Sequence, residues 1–573
     1  MTTPTAPVYD GRGRLVQTPF VPATQVPRLA KTQVLEVFEA YPKVASWLSR
    51  YPGSGRVDEE TYSAKDGSWT VKLWWGKAGE IAEGRVDDAS GAVLEAWTGP
   101  QVAWKMGRGY SGAFGGTTIN DPWVWGIFCA VFLLGLADLR RPLSLRNLDL
   151  LFLLSPTASL WFFNHGDVFT AVPLFYPLLV WVVLRCTWIG RTGRAPRGRP
   201  LWPAWVLLAA TVFLTGFRVG LNVEASNVID VGYSGVIGAE RIVHGQAPWG
   251  HFPVEDDLKA CGPADSAGET RDRIQTNGRC ESANPQGDTY GPVAYEAYIP
   301  GFLLLGWSGR WDDLPAAHFT TIAFDLLTLL GLWLVGRRLE GPRLAATLAF
   351  AWAAYPFTQY ASNSNTNDTL LPCLLVWGFW LLSSPVGRGV FAALSGWTKF
   401  ASLVVAPLWS TYPDRRPRPR FLAAFVGASL AAFSIVLLEP GPFHELRVFW
   451  DRTIGWQAGR DSPFSLWDWR QYHARGLPDL HVVQRVLQAL LVAGAFAAAF
   501  LPRRKTPLQL AALTAALLAG FEVVVTYWLY TYIPWFYAFA AIALLPSLAP
   551  APATSPVDLP EDTSQHHELL PAH

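Results

Sequence analysis

The chain has 573 residues, 50% of them apolar, with 28 Trp and only 16% charged side chains. Apolar runs of about 16 to 22 residues recur along it. That is the length of a bilayer crossing, and a soluble globular protein of this size does not hold ten or so of them. A net charge of +1 says nothing about a nucleic-acid partner, and none is expected. The expectation is a polytopic α-helical membrane protein whose solvent is the lipid bilayer.

Residues 1–120 are read as a small soluble α+β domain. Helical periodicity over 31–51 puts Val34, Val37, Phe38, Tyr41 and Val44 on one face. SWTVKLWW (68–75) and GAVLEAW (91–97) alternate as strands, with turns at Asp66-Gly67 and 88–91. The helix, the short strands and the phrase RVDDASGAVLEAW (85–97) together resemble a PepSY-like domain. The simplest role for it is non-catalytic.

Three spans are expected within 121–202, at about 122–138, 148–163 and 168–187. A membrane core over 203–549 opens with a span at 203–220 and continues into a loop, 221–315. The remaining spans fall at about 316–336, 343–359, 368–383, 420–438, 483–501, 507–526 and 533–549. The stretch 388–411 reads as two short half-helices meeting near Lys399, which brings the total to about 13 membrane segments. The Pro/Ala-rich, acidic tail 550–573 reads as disordered.

Arg and Lys gather at 140–146, 185–199, 337–343, 415–420 and 503–505, whereas the turns at 164–167, 361–367 and 527–532 carry none. By the positive-inside rule the first group is cytoplasmic and the second faces out. This places the 221–315 loop and the N-terminal domain outside a plasma membrane, with 291–308 as a helix lying on the outer surface. Cys129, Cys186 and Cys373 fall in apolar spans as small buried residues, and Cys261 and Cys280 share the outer loop as a disulfide candidate.

Asp230 ends a span and opens that loop. Tyr233, Val236, Ile237, Glu240 and Val243 follow at helical spacing, as on a surface helix with its apolar side in the interface. A partly desolvated carboxylate there suits a general base, and an N-cap is the alternative. Position alone leaves both open. Asn363, Asn365, Asn367 and Asp368 form a second polar group on an outer turn, able to hold sugar hydroxyls or to cap the next helix. Lys399, Arg218 and Arg452 are candidates to hold a phosphate, with snorkelling as the other reading of Arg218. Trp467, Trp469, Tyr472 and His473 suit either sugar stacking or an interfacial belt. Within the spans, Asp325 is expected to bond between helices, and Glu522 lies nearer the outer end.

The run Asp230, Tyr233, Gly245, Pro248, Trp249, Gly250, followed by TYGPVAY at 289–295, resembles the first outer loop of GT-C superfamily glycosyltransferases. The likeness is to the polyprenol-phosphate-mannose-dependent type and extends over about 203–549. It implies a GT-C-like fold and inverting hexose transfer, with mannose as the sugar, from a polyprenyl-phosphate donor to an envelope lipid, glycan or protein on the outer face. It puts the catalytic carboxylate on Asp230 and adds Asp368 from the second outer turn. Tyr290 falls in the family's Tyr-Pro-Pro phrase, which stands here as Tyr290-Gly291-Pro292. Lys399 resembles the family's lysine between two short helices. Asn363, Asn367, Trp467, Arg218 and Arg452 complete the substrate-binding set. No metal ligands are assigned: a divalent cation stays open as a cofactor, but no tight acidic cluster calls for one. The rival readings are a transporter or flippase of lipid-linked sugars and a non-catalytic envelope sensor or anchor.

Overall fold

A computed structural model of the chain describes residues 8–9, 11–17, 27–49, 51–64, 67–75, 80–98, 102, 109, 111–194, 201–250, 273–274, 280–281, 288–310, 313–459, 464–468, 478–527 and 529–546. The N-terminal domain holds two helices, Lys31–Ala40 and Pro42–Leu48, and a four-stranded antiparallel meander of Arg56–Ser63, Ser68–Trp75, Glu80–Asp87 and Val93–Thr98. Pro42 splits the expected single helix because it cannot donate within a helix interior but fits a first turn. Val34, Phe38 and Val44 are buried against Trp69, Val71 and Val86, while Tyr41 turns outward. Two strands of the four, at 56–63 and 80–87, escaped the sequence reading because their charged residues hide the alternation. Asp88 fastens the domain by accepting from the backbone N–H groups of Arg28 (2.8 Å) and Leu29 (3.0 Å) and from Trp69 Nε1 (2.9 Å).

The rest is a helical membrane domain. Six helices among the described residues are long and apolar enough to cross a bilayer: Thr170–Thr192, Ala204–Ala225, Pro315–Glu340, Pro419–Leu438, His481–Phe500 and Pro507–Val524. Other expected spans are built from shorter pieces. Pro156 divides Leu145–Leu154 from Pro156–Asn164, and Pro356 divides Pro342–Ala354 from Pro356–Asn363. Proline at the first helical turn recurs because that N–H has no intrahelical partner to lose. Side-chain caps strengthen several starts, as where Asp121 accepts from Trp123 N (2.8 Å) and Val124 N (3.3 Å).

Long-range contacts join the basic segments at one end of the bundle. Arg146 donates to the carbonyls of Leu136 and Leu545, Gln509 to that of Gly190, Arg415 to that of Phe500, and Lys505 N to that of Pro413. At the opposite end Asn227 N donates to Asn363 O (3.2 Å), Ile229 N to Ser364 O (3.3 Å), and Trp467 Nε1 to Val523 O (3.0 Å). The linker 111–121 is packed there too: Phe114 is buried against Phe163 and Tyr360.

The stretch 388–411 goes in and comes back. Pro385–Thr398 runs from the basic end to Lys399, and 400–410 returns, so that Arg388 bonds the carbonyls of Trp409 (3.3 Å) and Tyr412 (2.9 Å). At about 1.5 Å per residue the outgoing arm reaches roughly 21 Å, short of a full crossing. In a single-cysteine background, His244→Cys is expected to react with an impermeant maleimide from outside the cell. Arg416→Cys and Arg503→Cys, exposed at the basic end, are expected to stay protected until the membrane is opened. External labelling at 416 would rule out the re-entrant arrangement.

Candidate functional site

The helix Asp230–Val243 follows the Ala204–Ala225 span after a short extended link. It does not lie in the membrane interface as expected. Residues 231–239 are buried within the protein, and glycines make this possible. A Cβ on Gly232 would sit 2.1 Å from Asn365 O, one on Gly235 2.5 Å from the Tyr298 ring, and one on Gly238 2.2 Å from the Tyr295 ring. Asp230 occupies the first turn, where the helix dipole favours a negative charge. Ile229 is the N-cap, and Asp230 Oδ1 accepts from Val231 N at 2.9 Å, so Asp230 is not the cap.

The SNSNTND turn is likewise inside rather than on an exposed rim: Asn363, Asn365, Asn367 and Asp368 are all nearly or completely buried. Their roles divide. Asn363 accepts from Gln359 Nε2 (2.5 Å) and donates to Gly115 O (3.4 Å). Asn365, the one non-glycine residue with positive φ among the described residues, accepts from Asn222 Nδ2 and donates to Ser226 Oγ, both at 2.9 Å. These two side chains hold backbone that has left helix geometry. Asn367 instead keeps a buried Oδ1 with no hydrogen-bond partner among the described residues, next to Asp368.

Asp368 is the hub. Its Oδ2 accepts from Thr366 Oγ1 (2.7 Å), and its Oδ1 from Trp535 Nε1 (3.2 Å) and from the ammonium of Lys399. Lys399 stands at the tip of the re-entrant hairpin, largely buried and not openly at the surface. Its ammonium faces three aromatic rings, Tyr532 at 4.7 Å, Trp535 at 5.1 Å and Tyr290 at 5.4 Å, within cation–π range. Asp230 is near enough to act on the same charge. Glu522 and Tyr298 lie within the field of Asp368, and neither carboxylate oxygen of Glu522 has a hydrogen-bond partner among the described residues.

The Tyr-Gly-Pro phrase has a steric cause. A Cβ at 291 would fall 2.0 Å from Trp397 O, two residues before Lys399. Glycine therefore lets the Tyr290 segment close over the hairpin tip, where proline would not fit.

Two expected phosphate-holding residues are engaged elsewhere. Arg218 forms a buried two-pronged pair with Asp325 (2.7 and 3.2 Å) and donates to Thr358 Oγ1 (3.1 Å), while Trp352 Nε1 also serves Asp325 (2.8 Å). This bears out Asp325 as an interhelical bonding group and makes Arg218 its partner, not a snorkelling side chain. Arg452 grips buried Asp288 (2.5 and 2.7 Å), which also accepts from Gly250 N (2.8 Å). Trp467 is buried, with its Nε1 committed to Val523 O. Trp469, Tyr472, His473 and Cys261 lie outside the described residues, and Cys280 sits in a short strand paired with 273–274. Among the described residues no three His, Cys, Asp or Glu side chains converge as metal ligands.

Tyr532, Trp535 and Thr366 were not singled out from the sequence. Trp535 lies 167 positions from Asp368, so no local pattern announces it. Compared with models of known protein families and with curated proteins, the chain matches none.

Removing one member of the Arg218–Asp325 pair leaves a buried unpaired charge, so Arg218→Ala should cost about 3–5 kcal/mol. A thermal melt of the purified protein should show a large fall in Tm for either single variant and a smaller one for Arg218→Ala/Asp325→Ala. An unchanged Tm in the single variants would refute the pairing.

Glu445, in the helix Pro442–Trp450, is buried with one oxygen unpartnered among the described residues, and burial with the nearby charges of Glu439 and Asp288 raises its pKa to about 7. The folded state therefore holds this proton over a range where the unfolded chain has lost it, and stability falls as pH rises from about 4.5 to about 7. Glu445→Gln should flatten that part of the Tm–pH curve and melt higher than wild type at pH 8. An unchanged curve would overturn the assignment.

Proposed function

We propose that the protein is a membrane glycosyltransferase. On the family resemblance it moves a hexose, mannose, from a polyprenyl-phosphate donor to an envelope acceptor on the outer face. The observation that supports this reading is the convergence of Asp230, Asp368 and Lys399 on one buried, aromatic-walled polar cluster at the end of the bundle opposite the basic loops.

An inverting displacement needs a base for the acceptor hydroxyl and a positive group for the departing phosphate. Asp230 takes the acceptor proton as the acceptor oxygen attacks the anomeric carbon. The bond from that carbon to the phosphate oxygen breaks, and its electron pair leaves with the phosphate. Lys399 is the cation of this cluster: it meets Asp368 through one contact, whereas Arg218 and Arg452 are each gripped by a carboxylate through two. An ammonium has three N–H donors, one of which goes to Asp368. Asp368 orients Lys399 and balances its charge before the donor arrives. The re-entrant hairpin and the intramembrane ionisable groups also suit a transporter of lipid-linked sugars, the second reading.

Membranes containing wild type should release polyprenyl phosphate from radiolabelled polyprenyl-phosphate mannose while labelling an acceptor. Asp230→Asn should insert normally and lower that rate about 100-fold. Label that moves across the membrane with the donor intact would favour the transporter, and an unimpaired Asp230→Asn would remove the base. In the same assay Lys399→Ala should lower kcat more than it raises the donor KM, because phosphate charge grows as the bond breaks. A change in KM alone would make Lys399 a ground-state tether.

A further inference from the structure

Away from the polar cluster, the membrane domain carries an apolar crevice of about 740 Å³ between the helices Val168–Thr192, His481–Phe500 and Pro507–Val524. The first and third helices pack closely: a Cβ on Gly190 would lie 2.6 Å from the Leu513 side chain. The second leans on the third but stands off from the first, which leaves a slot. Leu487 to Leu501 mark its length along one wall, roughly 20 Å at 1.5 Å per residue. That exceeds one leaflet's share of a hydrocarbon core about 30 Å thick. Gly494 faces into open space, with nothing within 4 Å of an added Cβ, and Gly520 opposite keeps the floor low beneath Leu491.

The two ends of the slot differ. At the site end the lining is Val523 and Val524, whose carbonyls already accept from Trp467 and Gln484, and no charged side chain lines it there. At the basic end the lining includes Arg191, which is exposed and makes no hydrogen bond or ion pair among the described residues. A chain occupying the slot therefore meets a cation at that end.

We propose that this crevice is a binding site for one anionic phospholipid of the leaflet on the basic side, with an acyl chain in the slot and its phosphate on Arg191. The chemistry is complementary at both ends, since apolar walls take the chain and a guanidinium takes phosphate through paired, charge-assisted hydrogen bonds. The site is independent of the glycosyl-transfer reading, and its test does not require turnover.

The full-length protein, purified in detergent, is incubated with dioleoyl phosphatidylglycerol or dioleoyl phosphatidylcholine, and lipid retention is read by native mass spectrometry. Wild type should keep one phosphatidylglycerol through activation energies that strip phosphatidylcholine. Arg191→Gln should reduce that retention about fivefold, the factor for about 1 kcal/mol per basic residue near anionic lipid. Gly494→Phe should abolish it by filling the slot. Gly494→Leu does the same with less bulk if the Phe variant folds poorly, and Gly494→Ala should behave as wild type. Equal retention of both lipids, or retention insensitive to Arg191→Gln or to both slot-filling variants, overturns the proposal. So does displacement of phosphatidylglycerol by stoichiometric polyprenyl phosphate, which would assign the slot to the donor's tail.

Discussion

Backbone that leaves a helix at membrane depth must find its hydrogen bonds within the protein, because hydrocarbon offers none. This chain leaves α-helix geometry at 226–229, at 364–369, at Lys399, and at 525–527 and 529–532, and it gathers those breaks at one end of the bundle. The asparagines of the first two breaks answer each other's exposed backbone, which is why that region is rich in amides and poor in leucine. Once such a layer exists, charged side chains can stand in it without facing lipid. Lys399 and Asp368 occupy it.

The pairs elsewhere are of another kind. Arg218–Asp325 and Arg185–Asp149 each join two helices through a two-pronged contact and an added tryptophan N–H. Their geometry is closed, both oxygens of each carboxylate being taken. Lys399 offers a single point charge walled by aromatic faces, paired with Asp368 and within the field of Asp230. A cluster with more acids than bases does not resemble a stability device, since buried ion pairs contribute little unless each charge is fully satisfied.

The helix starts at Pro122 and Pro507 were legible in the sequence, because a proline after Asp121 or Thr506 suits both the cap and the first turn, whereas the start at Pro385 was read as 388. The two ends of the bundle were legible as well, as arginine clusters set against turns without cations. The helix after Asp230 was misread because its apolar spacing was weighed without its glycines. Gly232, Gly235 and Gly238 recur every three residues, a signature of close packing rather than of an interfacial stripe. Arg218 looked unpaired because its acid lies 107 positions away, on another helix. The site was half legible. Asp230, Asp368 and Lys399 stood out as polar residues at apolar boundaries, whereas Tyr532 and Trp535 are ordinary membrane aromatics until the fold turns their faces toward a lysine.

The linker between the N-terminal domain and the first span sets a boundary for dissecting the chain. Gly112, Ala113 and Gly115 lend backbone carbonyls to Asn227 and Asn363. Gly109 and Gly116 lie so close to Phe163 O and Ala225 O that a Cβ would fall at 2.1 and 2.7 Å. The segment is therefore a strap across the polar layer and belongs to the membrane domain. A truncation ahead of 109 removes a globular appendage, whereas one at 121 strips acceptors from the half-buried Asn227 and the buried Asn363.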